Sequence, residues 1–273
     1  MVLDLSALTL LPTSTSSTPD LLSIIYGTGT ASGGNPVTAL QTALKTETKA
    51  VATVAHQPDV KRDIAMFLAA VASAKTPAEL LANPAARKVL LTANGLGDQT
   101  DYTALATKAL LSDTTKTGNL ASTLATTTWL SVAKTYNFAN KGLTVLKDPA
   151  VLKTITNGYA EVNWRQSLDA ATPGLSNALD FRSRASGITS VDQILGDKTL
   201  REVVTVALDI PKEIAFQSLP SQEAAISNKV DITKFKSPAY VDQFTKRYLI
   251  AAGSTAAGST SSRTGLGITR LFI

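Results

Sequence analysis

The chain has one histidine, His56, and no cysteine. A Ser-His-Asp triad, a two-histidine zinc site or a facial triad of two histidines and a carboxylate would all have to draw on that one imidazole. Thiolate catalysis, disulfides and Cys-ligated zinc or iron–sulfur sites are excluded outright. His56 stands between Ala55 and Gln57, just before Pro58. That is a helix end, where an imidazole meets the last carbonyls and the negative end of the helix dipole without any catalytic role. Two carboxylates, Glu47 and Glu161, recur at matching places in the two halves of the chain. Such a pair could do acid–base work or hold a metal inside a helical bundle, but the Glu-x-x-His pairs of those bundles are missing. The plainer reading is a buried or helix-pairing role, with Arg87 and Arg201 as the ion-pair partners to test. The Gly-rich run from Gly27 to Gly34 follows an apolar stretch, as a phosphate-binding loop would. Its spacing is one residue off G-x-G-x-x-G, it lacks the Lys-Ser/Thr ending of a P-loop, and helices rather than a second strand follow. It reads as a hinge. Trp129, Trp164, Tyr240 and Phe244 fall at helical spacing among apolar neighbours and read as core. No cofactor, metal or small-molecule substrate is called for.

Charge narrows the partners. The formal net charge is +5, but the cations are scattered, with pairs such as Lys61-Arg62 and Lys246-Arg247 as the densest spots. No basic run reaches the length of a nucleic-acid patch, so a solvated helical surface is expected and no nucleic acid. No apolar stretch is long enough to span a bilayer. The first basic residue is Lys45, so a Sec signal with its basic start is not expected.

The elements that position these residues are predicted to be helices. Asn35-Pro36, Pro58, Thr76-Pro77, Asn83-Pro84 and Asp148-Pro149 all read as helix starts, with Pro in the first turn and, at all but Pro58, a short polar side chain ahead of it. Further helices are expected at about 99–112 and 119–137. In the second half, helices are expected around Leu175 to Phe181, Val191 to Leu195 and Asp197 to Leu208. Positions 114 apart match in kind: Glu47 and Glu161, Phe67 and Phe181, Leu81 and Leu195, Arg87 and Arg201, Val89 and Val203, Ala93 and Ala207. Later the spacing becomes 111, with Trp129 against Tyr240 and Phe138 against Leu249. The expected architecture is all-α: two tandem, diverged multi-helix repeats at 36–140 and 141–250, flanked by irregular, partly extended arms. The N-terminal arm is 1–35. Residues 251–264, AAGSTAAGSTSSRT, read by composition as a linker leading to an apolar tip, with 251–273 as the C-terminal arm.

Several blocks resemble a known family. They include Tyr159-Ala160-Glu161, the PGLSNALDF stretch of Pro173 to Phe181, Asp192 to Val204 and Ala207 to Pro211, with Gln222, Lys229 to Ile232 and Arg247-Tyr248-Leu249. In the first half, Asp63 to Phe67, Lys75 to Leu81, Gly95-Leu96-Gly97 and Tyr136-Asn137-Phe138 are similar. The family is Domain of Unknown Function 1217, found mainly in alphaproteobacteria, and the resemblance covers about residues 36–250. Its members are associated with flagellar genes, which implies a flagellar role.

The function expected is therefore a non-enzymatic structural or accessory protein of the bacterial flagellum, acting by contacts with flagellar proteins or with copies of itself. Low charge and missing cysteines fit export through the flagellar channel without a cleaved signal; the alternative is a cytoplasmic adaptor or chaperone for flagellar subunits. The side chains expected to make contact are Leu3, Leu5, Leu8, Leu10, Ile24 and Tyr26 in one arm and Leu266, Ile268, Leu271 and Phe272 in the other. Their alternation suits strand pairing, between the two ends or onto a neighbour.

Overall fold

A computed structural model describes residues 35–124 and 126–261, with side chains as far as Ser254. All the terminal contact residues named above, and the Gly27–Gly34 run, lie outside the described residues. Within them the chain is all-α and no strand occurs. In the first half come α1 (Pro36–Ala55), α2 (Pro58–Ser73), α3 (Pro77–Ala82), α4 (Pro84–Ala93), α5 (Thr103–Leu110), α6 (Leu120–Thr123), α7 (Thr128–Tyr136) and α8 (Phe138–Lys141). The second half holds α9 (Pro149–Leu168), α10 (Leu175–Arg184), α11 (Val191–Leu195), α12 (Lys198–Ala207), α13 (Leu219–Ser227) and α14 (Pro238–Ser261).

The starts are where the caps put them. Asn35, Thr76, Asn83 and Asp148 each accept a first-turn backbone N–H on the side chain, ahead of a proline that needs no partner there. Two elements differ from expectation. The helix expected over 119–137 is broken into α6 and α7, and Asn137 at φ 45° then separates α7 from α8. The stretch expected to be a linker from Ala251 instead continues α14 to Ser261. Its Ala-rich composition propagates a helix that α10 and α12 already hold down, and propagation costs far less than nucleation.

The spacing of 114 recurs in the elements. Helix α12, at 198–207, lies 114 residues after α4, at 84–93, and α11 starts 114 residues after α3. The local chemistry recurs too. Thr76 Oγ1 accepts from Glu79 N at 3.1 Å, and Glu79 Oε2 accepts in return from Lys75 N at 2.8 Å. Ser190 Oγ accepts from Gln193 N at 3.3 Å, and Gln193 Oε1 accepts from Thr189 N at 2.8 Å. Both are variants of the capping box, in which the returning side chain takes the N–H of the residue before the cap. At the far ends, Leu96 N donates to Leu91 O at 2.8 Å and Ile210 N to Thr205 O at 2.9 Å, across left-handed Gly95 (φ 75°) and Asp209 (φ 51°). This is the Schellman closure, with Asp209 taking a conformation that glycine adopts freely. Phe67 and Phe181 are both fully buried.

Where the spacing becomes 111 the packing parts company. Helix α7 packs on α5 and α6, whereas α14 packs on α12, α10 and α1. Helix α9 lies at the centre, against α1, α2, α4 and α10. Gly158 makes the α4 contact possible: a Cβ there would sit 3.1 Å from the Ala93 carbonyl oxygen. Tyr159 then reaches across from α9 to donate to Asp63 Oδ2 at 2.6 Å, and Lys88 Nζ donates to the same oxygen at 2.7 Å. In the second half α14 does the corresponding job. The Tyr248 hydroxyl lies 3.5 Å from Asn177 Nδ2, and Asn177 is 114 residues after Asp63. Each group of short helices is thus closed by a tyrosine on a following long helix.

Candidate functional site: a charged cleft between the halves

Helix α9 carries Glu161 and Arg165 one turn apart, and α10 carries Asp180 and Arg184 one turn apart. Acid four residues before base is the favourable helical order. Packing α9 against α10 brings the two pairs together. Arg165 pairs with Glu161 and, at 3.4 Å, with Asp180; Arg184 pairs with Asp180 at 3.0 Å and with Asp197, the cap of α12. Burial pushes the Asp180 carboxyl up, Arg184 and Arg165 oppose this, and Asp197 and Glu161 add to it. Arg165 is nine-tenths buried, and its Nε–H has no partner among the described residues.

This network forms the floor of a cleft of about 480 Å³. One wall is the first half's turn, Gly95 to Gln99; the other is the start of α12 with Lys198, Thr199, Arg201 and Glu202. Thr126 ties the walls together by donating from Oγ1 to the Gly196 carbonyl at 2.5 Å. The lining is mixed, with charged and hydroxyl side chains beside Leu96 and Val162, and is less apolar than is usual for small organic ligands.

The sequence-predicted residues fall as follows. Glu47 and Glu161 lie on the packed helices α1 and α9, near enough for charge to act between them; burial first, then the charge of Glu161, raises the Glu47 carboxyl, and Arg165 lowers it. The expected partners are replaced, however. Arg87 and Arg201 bond backbone carbonyls, and the base beside Glu161 is Arg165. An arginine on the short helix can cap the end of the preceding one, which spacing to a distant glutamate did not reveal. Arg87 donates from Nε to Thr100 O at 2.8 Å and from Nη1 to Leu81 O at 2.8 Å. His56 is the exposed C-terminal cap residue of α1, its backbone N–H bonded to the Thr53 and Val54 carbonyls. Trp129, Trp164 and Phe244 are core; Tyr240 is half-buried against Phe235 and Phe244. Sequence reasoning misses Arg165, Asp180, Arg184 and Asp197 as a cluster. The two acid–base pairs at helical spacing were their signal in the sequence.

The described surface also leaves large apolar side chains exposed. Phe216 is 92% exposed and Leu219, three residues on, is 54% exposed. Among the described residues there is no group of three or more His, Cys, Asp or Glu placed to hold a metal ion, and no helix is long and apolar enough to cross a membrane.

The model of the family described as protein of unknown function DUF1217 matches residues 93–241, more than half of the chain. The chain belongs to this family. The match starts at the end of α4 and runs into α14, so it takes in the cleft and most of the network beneath it. No curated protein matches. Among solved structures, the crystal structure of protein AGR_C_984 from Agrobacterium tumefaciens is similar, with a TM-score of 0.68 at 22% identity, covering 82% of this chain and 96% of that one. At that identity the likeness speaks for the fold alone.

Proposed function

We propose that the protein is a non-enzymatic structural or accessory component of the bacterial flagellum that works by protein–protein contact. The observation that carries the contact reading is the Phe216–Leu219 edge, an apolar pair on a short turn left facing water. Full burial of such a side chain supplies about 1.5–3 kcal/mol; Phe216 forgoes most of it and Leu219 about half, which a partner surface would recover. The flagellar assignment rests on the sequence blocks shared with a family associated with flagellar genes. The terminal segments, with Leu3 to Tyr26 and Leu266 to Phe272, are proposed as further contact points. The two halves are read as copies of one duplicated unit, supported by the paired caps and the recurring spacing.

The test is the protein's location in motile cells with and without the flagellar export gate. Recovery from culture supernatant or sheared filaments only when the gate is present supports the reading. Equal retention inside both strains sinks export. It would favour a cytoplasmic adaptor or chaperone for flagellar subunits, a second reading for which the cleft between the halves offers a place.

A further inference from the structure

The two halves treat their matching arginines differently. Arg87 is buried because the turn that follows α4 folds back over it, and Thr100 offers its carbonyl to Nε. Arg201 occupies the matching place on α12 and makes the matching bond, Nη1 to Leu195 O at 3.1 Å. Among the described residues no carbonyl is bonded to its Nε: Arg201 is exposed and lines the cleft. In the first half, then, the group that satisfies this guanidinium is a main-chain carbonyl from an irregular stretch of the chain. In the second half the guanidinium is left open beside a polar cleft.

We propose that the cleft is a receptor for extended main chain, and that its occupant is the segment 1–34 of the same chain. That segment is rich in Ser, Thr and Gly, and has no cation; its charged side chains are Asp4 and Asp20. Its carbonyls and hydroxyls suit the donors of Arg201 and Lys198, and a carboxylate would suit Lys198, which has no ion-pair partner among the described residues. Reach is sufficient. The cleft floor at Arg165 is close enough to Glu47, twelve residues along α1 from Asn35, to act on its charge. The stretch from Asp20 to Asn35 alone can extend about 50 Å. Tethering favours this occupant over a free partner, since a covalent link raises its effective concentration at the cleft, to about millimolar for a link that spans the distance. The inference does not depend on the flagellar reading.

The test uses the protein with a benzophenone amino acid in place of Thr199, which lines the cleft, as an equal mixture of ¹⁴N and ¹⁵N chains, irradiated and analysed by mass spectrometry. Cross-links from position 199 into residues 1–34 of the same isotope are expected. Arg201→Gln should lower their yield about tenfold, the loss of one hydrogen bond from a charged donor, with the circular dichroism spectrum unchanged. Cross-links that avoid 1–34 would overturn the proposal. Mixed-isotope cross-links would assign the cleft to a second copy and overturn the same-chain occupant. A yield indifferent to Arg201→Gln would remove that arginine from the site.

Discussion

Phe67→Ala and Phe181→Ala delete the same side chain from the same place in each half, yet they should not cost the same. Both rings are fully buried, so each truncation is expected to destabilise by about 3–5 kcal/mol through lost transfer energy and the cavity left behind. Phe181 has a further loss. Its ring stands edge-on to Phe235 at 5.2 Å and 84°, and lies tilted against Phe244 at 5.4 Å and 30°. Each such pair is worth about 0.5–1.5 kcal/mol beyond its buried area. No ring partner is found for Phe67 among the described residues. Phe181→Ala should therefore exceed Phe67→Ala by about 1–3 kcal/mol. Urea denaturation followed by circular dichroism measures both, and equal slopes in the two variants make the midpoints comparable. If Phe67→Ala costs as much as Phe181→Ala, the aromatic cluster adds nothing. A cost below about 2 kcal/mol for either would mean that the site collapses around the missing ring.

Arg87→Gln should cost about 1.5–3 kcal/mol, because it strips a charged donor from the buried Leu81 carbonyl and from the Thr100 carbonyl, and the more exposed Arg201→Gln should cost less; thermal melts of the two variants decide. Burial raises the Asp63 carboxyl, but hydrogen bonds from Lys88 and Tyr159 together hold it below its ordinary value. Its contribution is thus complete above the unfolded carboxylate range and is lost as pH falls through the lowered folded value. The stability gap between the protein and Asp63→Asn should be widest near neutral pH and shrink below about pH 4; a gap constant with pH would deny the ionised contact.

Much of this fold is legible in the sequence because its helices begin with strong local signals. Asx-Pro and Thr-Pro steps fix α1, α3, α4 and α9 to within a residue, since the cap and the proline act without help from the rest of the molecule. Helix ends set by tertiary packing were harder. Nothing local to Ala251 says that α14 goes on, because its support comes from α10 and α12. The break at Asn137 depends on a left-handed residue that sequence alone leaves optional. The cleft was less legible still. Its acid–base pairs can be read off each helix, but their meeting depends on how α9 crosses α10. The difference between Arg87 and Arg201 lies in a turn that folds back in one half only.

Helix α9 opens the second half and also closes the first, through Gly158 against Ala93 and Tyr159 on Asp63. The order of synthesis therefore matters. As the chain leaves the ribosome, α1 to α8 emerge before the helix that covers α4 and satisfies Asp63, so the first half stays open until α9 is clear of the exit tunnel. The second half in turn waits for α14, which follows all its other helices. Folding this protein during translation is a two-step latch: the first half cannot finish on its own residues, and a cut between residues 140 and 141, natural as it looks in the sequence, would leave it without its lid.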